Sequence, residues 1–396
     1  MQRAAVAVSA LERPRRRPRV WLPNWLGPRP ATQLAVLVAV VVLVAVLGSN
    51  IAATMARIGL TPGFGFLERA ANFEIGESAI PFRAGDSYAR AIAVGVLNTA
   101  KVAVVSCILA TVLGVALALM RLAGHPVLSG LVRWSIEVVR NTPLLLQLFF
   151  WIGLAHALPP PRRAVVWFDC VFLTNRGVYL PSVVIAEGSW MAITAIAAIL
   201  LGWLALMWRS RARGPLAPLP LGLVAMLVLA IVIYASGFRI SLHSPAVQGF
   251  NIQGGTSLTP EFAALLVGLT VKFAAIFAEI VRAGILSVRR EQWDAARALG
   301  LSELRIIRLV VLPQALRVIT PLATSCYLDV IKDSSLAVAI GYPDLMNITN
   351  TTANTTGQAL EALLIVVALY LTLNLSVSAV MNLYNARVAM RGGRPA

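Results

Sequence analysis

The chain has 396 residues, a net charge of +17 and a mean hydropathy of +0.79, with 58% hydrophobic and only 13% charged residues. Soluble domains hold apolar residues to about 45–50%, so these figures exclude a soluble globular protein and describe a polytopic helical membrane protein. The positive charge does not indicate a nucleic-acid binder, because the arginines lie between apolar runs rather than on one basic soluble face; membrane lipid is the expected partner and nucleic acid is not.

Residues 1–30 are basic and proline-rich, with Arg13, Arg15, Arg16, Arg17 and Arg19. They lack the ordered n-region, apolar core and cleavage site of a secretory signal and read as a disordered cytoplasmic tail. Apolar runs follow at 31–54, 91–120, 142–158, 188–208, 217–237, 260–281, 309–328 and 358–384. Each approaches the roughly 20 residues that cross a bilayer as a helix, which predicts an all-α fold of about 8 transmembrane helices. The run at 309–328 contains prolines and is expected to be broken. Residues 55–90 form a polar connection between the first two spans, 188–237 an inserted helix pair, and 385–396 a second short tail.

Arginine placement sets the orientation. With the N-terminus inside, the segments on the cytoplasmic side hold 22 arginines and the opposite loops hold eight, with Arg317 left inside a span. Positive residues are retained on the cytoplasmic side, so both termini are expected there. Arg162 and Arg163 are the main discordant pair. The charge-free stretch 347–357 (NITNTTANTTG) is read as a solvated turn on the far side. Cys107, Cys170 and Cys326 and the three histidines show no metal-ligand spacing. No metal is expected.

The most informative segment lies in the cytoplasmic loop 282–313, in 291-EQWDAARALGLSELRIIRLVVLP-313. Residues 291–299 favour a short helix. Gly300 can end it in a left-handed conformation without a Cβ penalty, and Ser302 can cap a second helix. Pro313 marks the return to the membrane. Two short helices bent at a glycine make a knob suited to a groove in another protein.

The pattern formed by Asp294, Ala295, Ala296, Gly300, Val310, Leu312 and Pro313 resembles EAA-x3-G-x9-I-x-L-P, the cytoplasmic coupling-loop signature of permease subunits of bacterial ABC importers. Asp294 stands for Glu and Val310 for Ile. The match extends to 134-WSIEVVRNTPLLLQLFFWIG-153, 279-EIVRAGILSV-288 and 313-PQALRVITPLATSCYLDVIKDSSLAVAIGYPDL-345, which resemble the polar amino-acid subfamily. The extra first span at 31–54, the stretch GFGFLERAANFEIGE (63–77) and FLTNRG (172–177) resemble the first permease of the general L-amino-acid importer. The resemblance implies a five-helix type I permease core within a transmembrane domain at 91–384, with 55–90 in the periplasm. Two positions depart from the subfamily: Glu291 stands where glycine is usual, and Lys272 where an aromatic residue is common.

Ionisable residues at bilayer depth are costly and usually face a cavity or a partner. Lys272 and Glu279 lie seven apart on one predicted helix and share a face. Asp329, Lys332 and Asp333 cluster at the end of the proline-containing span. With Asn98 and Gln147 they are expected to line a translocation cavity able to hold the two charges of an amino acid; helix-fastening ion pairs are the alternative.

No GxxxxGK[ST], GxSxG or HExxH occurs, so the chain is expected not to be an enzyme and to bind no cofactor. The resemblance implies that ATP and Mg sit on a cytoplasmic ABC ATPase homodimer docked on the loop. It also implies a sister permease in a heterodimer, a periplasmic amino-acid-binding protein, and a place in the bacterial inner membrane. The rivals are a gradient-driven secondary transporter, which would show internal symmetry and broken helices in both halves, and an assembly factor, which would not bury charges.

Overall fold

The computed structural model describes residues 30–57, 59, 63–185 and 240–390. The expected tail at 1–30, apart from Pro30, and the inserted pair at 188–237 lie outside the described residues. The chain divides into two units, 1–64 and 65–396. The first holds α1 (Pro30–Arg57), 28 residues with exposed apolar side chains from Leu34 to Leu47.

The second unit contains a helical bundle: α2 (Tyr88–Leu122), α3 (Pro126–Asn141), α4 (Leu144–Ala157), α5 (Pro260–Leu286), α8 (Leu312–Asp333) and α10 (Ala359–Met390). Among the described residues five helical runs are long and apolar enough to cross a membrane, and α3 with α4 makes a sixth candidate, bent by 103°. The α2–α5 pair packs closely: Ala103, Ala110 and Ala118 of α2 and Ala274, Phe277 and Ala278 of α5 belong to one buried core. A Cβ on Gly114 would come within 2.7 Å of Phe277 Cβ and 2.9 Å of the Ala274 carbonyl, so only glycine permits this approach. Close backbone contact is how helices associate where lipid is as apolar as the side chains. The opposite faces carry exposed Val104, Ile108 and Val112.

Two expectations are corrected. The run 309–328 is not broken at its prolines, since α8 continues through Pro321. Pro321 lies on the exposed face, while Ala315, Ile319, Ala323, Cys326 and Val330 on the other face are buried and hold the helix in place. The stretch 347–357 is not a turn. Most of it lies in α9 (Leu345–Thr356), capped by the Asp344 carboxylate, which accepts from the Asn347 N–H, and closed by Gly357. Threonine is a poor helix former, but Thr349, Thr351, Thr352, Thr355 and Thr356 each donate to the carbonyl four residues earlier, at 2.6–3.0 Å. Their hydroxyls are thereby satisfied and Ile348, Thr349 and Thr352 can be buried.

The helical expectation also omitted a small β module between α4 and α5. Strands β1 (Val165–Trp167), β2 (Val171–Thr174), β3 (Gly177–Leu180) and β8 (Thr256–Leu258) form an antiparallel sheet in the order β1-β2-β3-β8. Val166 lies opposite Phe172 and Val178 opposite Leu258. Strands β4 (Ser182–Ile185) and β5 (Ile240–His243) pair separately, as do β6 (Ala246–Gln248) and β7 (Asn251–Gln253). Strands of three or four residues leave too short a period-2 pattern to stand out beside 20-residue apolar runs.

Candidate coupling site and translocation path

Helix α6 (Arg290–Ala298) and the single turn α7 (Glu303–Ile306) form a knob at the end of the bundle where α2 finishes and α3 begins. Gly300 has φ +71°. Its N–H donates to the Arg297 carbonyl at 2.9 Å, and the Leu301 N–H reaches back to the Ala296 carbonyl at 3.3 Å. This pair of bonds closes a helix with a left-handed residue just past its end, and a Cβ at Gly300 would meet only open space. The constraint is therefore the dihedral, not room. Ala296 is buried beside Ile306 in the common core, so the turn fixes α6 against α7, whereas Ala295 and Asp294 are exposed. Arg297 ties the two helices from outside, to Asp294 at 3.3 Å and Glu303 at 2.8 Å. Ser302 occupies the cap position of α7 without a side-chain capping bond.

From α7 the chain runs through one π-helical turn (Ile307–Val311), which contains Val310, directly into α8 with Leu312 and Pro313 in its first turn. The knob and the membrane-spanning helix are one continuous rod. Two large apolar side chains flank the glycine in the open, Leu299 at 80% and Leu304 at 78% exposure. Sequence reasoning did not single them out as contact residues; a leucine on each side of the helix-ending glycine was the available signal. Trp293 and Ile307 line an apolar cavity of about 650 Å³ between α2, α5, α8 and α10.

None of the charged or amide residues expected in the path lines that cavity. They lie at several depths. Asn98 is buried on α2 and donates to the Glu77 carbonyl at 2.8 Å and the Pro343 carbonyl at 2.9 Å, holding the 65–87 strap to the segment before α9. Glu279 lies towards the knob end of α5 between Arg121 and Arg282, an ion triad fastening α2 to α5. Asp329 and Lys332 form an exposed pair on α8 at 3.4 Å.

Lys272 and Gln147 do come together, at the α3–α4 bend. The last carbonyls of a helix lack intrahelical partners, and here they are satisfied one by one. The Val138 carbonyl accepts from the Thr142 N–H at 3.2 Å and its hydroxyl at 2.8 Å. The Val139 carbonyl accepts from Gln147 Nε2 at 2.9 Å. The Arg140 carbonyl accepts from Lys272 Nζ at 2.9 Å, and the Thr142 carbonyl from both Lys272 and Gln147 at 3.1 Å. A cation at the C-terminus of α3 also opposes the helix dipole. Lys272 lies about halfway along α5 and within electrostatic reach of Asp333. Irregular backbone at such depth is tolerated where protein or a water-filled path surrounds it.

A further polar site was missed. At the end of the bundle remote from the knob, Glu77 accepts from Lys101 at 2.7 Å and from the Thr259 hydroxyl at 2.6 Å, beside a cavity of about 340 Å³ that Glu74 and Glu261 also line. Lys101, a charge within an apolar run, was the signal for it.

A family model described as the binding-protein-dependent transport system inner membrane component matches residues 216–390. The YhdX protein of Escherichia coli (strain K12) is 41% identical over 373 residues, covering 90% of this chain and 93% of its own length. The general L-amino acid transport system permease protein AapQ of Rhizobium johnstonii is 38% identical over 365 residues, covering 90% and 91%. The chain belongs to the amino-acid ABC transporter permease family. As a permease of this family it is a multi-pass inner-membrane transport subunit rather than an enzyme in its own right, and its type works generally with an ATPase and a binding protein. A third relative is the glutamate/glutamine/aspartate/asparagine transport system permease protein BztB of Rhodobacter capsulatus. It is 35% identical over 367 residues, covering 83% of this chain and 86% of its own.

Proposed function

We propose that this permease imports L-amino acids, powered by a cytoplasmic ATPase homodimer that docks on the α6–α7 knob. ATP and Mg belong to that homodimer, and both termini of the permease lie on its side of the membrane. The observation that carries the reading is the knob itself: a glycine-closed turn with Leu299 and Leu304 exposed on either side of it, continuous through the π turn with α8. Exposed leucines on a rigid projection suit a groove in a partner. A shift of the knob moves α8 as a lever, and a lever between two packings is a two-state device that ATP binding can bias.

The substrate class follows from the names of AapQ and BztB and from the polar side of α8. Arg317, Ser325, Asp329 and Lys332 are exposed along that helix, a surface that lipid does not accommodate. It suits a water-filled path shared with a sister permease in a heterodimer, with a periplasmic amino-acid-binding protein delivering the substrate. In that path Lys272 and Asp333 present opposite charges to an amino acid's carboxylate and ammonium, while Asn98, Gln147 and Glu279 hold the helices around it.

The test is co-purification of the full chain with its ATPase, intact and with Leu299→Asp and Leu304→Asp together. Loss of the ATPase with unchanged membrane insertion is expected. Retention of the ATPase by the double variant, or uptake that follows an imposed ion gradient without ATP, would overturn the reading.

A further inference from the structure

The β module presents basic and aromatic side chains where it meets the helix ends. Chain connections fix which end of the module this is. Helix α4 finishes at Ala157, and two residues later the Pro159 carbonyl accepts from the Asn175 N–H at 3.1 Å, which pins the β2–β3 turn beside the end of α4. Gly177, the first residue of β3 just after this turn, lies against the Leu258 carbonyl, just before Thr259 caps α5. The β2–β3 turn therefore sits between the end of α4, the second half of the bent α3–α4 candidate span, and the start of α5, which is long and apolar enough to cross a membrane. The β1–β2 turn at Phe168–Asp169 lies at the other end of the sheet.

Three exposed arginines gather at the helix-end side. Arg162 and Arg163 follow Pro161 directly, and Arg176 sits in the β2–β3 turn. Among the described residues no acidic side chain pairs with any of them. The β6–β7 hairpin brings its tip to the same place: Phe250 is 75% exposed, and the Arg162 guanidinium lies 3.2 Å from its ring centroid. Arg162 and Arg163 are also the residues that fit the charge asymmetry of the chain worst, which calls for a local reason to keep them.

We propose that Arg162, Arg163, Arg176 and Phe250 form a lipid-headgroup site, with the arginines on phosphates of anionic phospholipid and the Phe250 ring at the level of the glycerol backbone. Guanidinium groups match phosphate oxygens through several N–H donors at once. Aromatic rings collect at the membrane–water boundary, and unpaired cations there attract anionic lipid. A lipid surface is favoured over a protein because Arg162 and Arg163 follow the end of α4 by only five and six residues, and α4 carries exposed Phe149, Phe150 and Leu154 on its way to that end. The proposal needs only α5 and the bent α3–α4 pair to enter the membrane. It is independent of which substrate crosses and of which side the knob faces.

The experiment uses the full chain with Cys107, Cys170 and Cys326 replaced by serine, reconstituted in phosphatidylcholine vesicles containing phosphatidylglycerol. A nitrobenzoxadiazole fluorophore is attached through Phe250→Cys or, as the distal comparison, Phe168→Cys. Headgroup-nitroxide lipid is expected to quench position 250 at least about twofold more than position 168, as the interfacial preference of the site requires. In parallel, R162Q/R163Q/R176Q in the otherwise unchanged chain is expected to retain fewer phosphatidylglycerol molecules by native mass spectrometry than the parent. Equal quenching at both positions overturns the proposal, as does equal lipid retention. Protection of position 250 that arises only on adding a soluble protein would assign the surface to a protein partner instead.

Discussion

The bundle contains two helix interruptions that solve the same problem differently. At Gly300 the open carbonyls of α6 are met by N–H groups within the next three residues, and a single left-handed glycine suffices. At Asn141–Pro143 the open carbonyls of α3 are met mostly by side chains that arrive from elsewhere, Gln147 from the next helix and Lys272 from 130 residues away. The first is a local device and remains closed wherever the knob moves. The second exists only while α5 stays against the bend, so it reports on, and resists, relative movement of α3, α4 and α5.

The largest effect expected from this contrast is at Lys272. Lys272→Met keeps the bulk of the stem but removes the charged donor from the Arg140 and Thr142 carbonyls, and a hydrogen bond to a charged group contributes about 1.5–3 kcal/mol. We expect a lowered unfolding midpoint in detergent and strongly reduced uptake. Because Gln147 shares the Thr142 carbonyl with Lys272, combining Lys272→Met with Gln147→Leu should give a non-additive loss, as residues of one hydrogen-bond network do. A sum of two independent losses, measured by the same unfolding assay, would show that the bend is held by packing alone.

Gly300→Ala is the matching break of the local device. A Cβ meets no atom there, so the cost is that of left-handed backbone, about 1–2 kcal/mol. Unfolding of the membrane core should be nearly unchanged, while ATPase affinity falls by about tenfold per 1.4 kcal/mol of lost knob geometry. A midpoint shift as large as that of Lys272→Met would mean that the turn supports the whole bundle and that the two interruptions do not differ as described.

The same contrast explains what could be read from the sequence. The knob was legible because its signals are adjacent: a helix-forming run, a glycine, a second helix, a proline. Spans were legible from length and hydropathy. The α3–α4 bend could be suspected from the Asn-Thr-Pro run, but nothing near Lys272 in the sequence indicates that its ammonium meets the last carbonyls of α3. Glu279 on the same helix has its own arginines. The threonines of α9 misled for a related reason, since their turn-like composition conceals that each hydroxyl can return to a carbonyl of its own helix.

Asp344 offers a smaller and pH-dependent test, at the end of the bundle remote from the knob. Burial pushes its carboxyl up to about 6 from an ordinary 3.8, although the α9 N–H groups and the Tyr370 hydroxyl pull the other way. The folded chain then holds a proton that the unfolded chain releases between about pH 4 and 6, so stability declines as pH rises through that window. Asp344→Asn retains a capping oxygen and should flatten the dependence. A wild-type midpoint that rises across the same window would show that the α9 N–H groups outweigh burial.

The smallest effect is expected at the outer tie of the knob. Arg297 and Glu303 are both more than half exposed, with side chains at 51% and 61%, and exposed pairs contribute about 0–1 kcal/mol. Arg297→Ala should therefore barely change unfolding. Its value lies in binding: if the Gly300 turn alone closes the knob, ATPase affinity in the Arg297→Ala variant will match wild type at high salt, where the pair is screened, and differ only slightly at low salt. A large loss that persists at high salt would mean that Arg297 touches the ATPase itself. The local device would then be a contact surface as well as a turn, and the knob's recognition would extend beyond Leu299 and Leu304 to the charged side of α6.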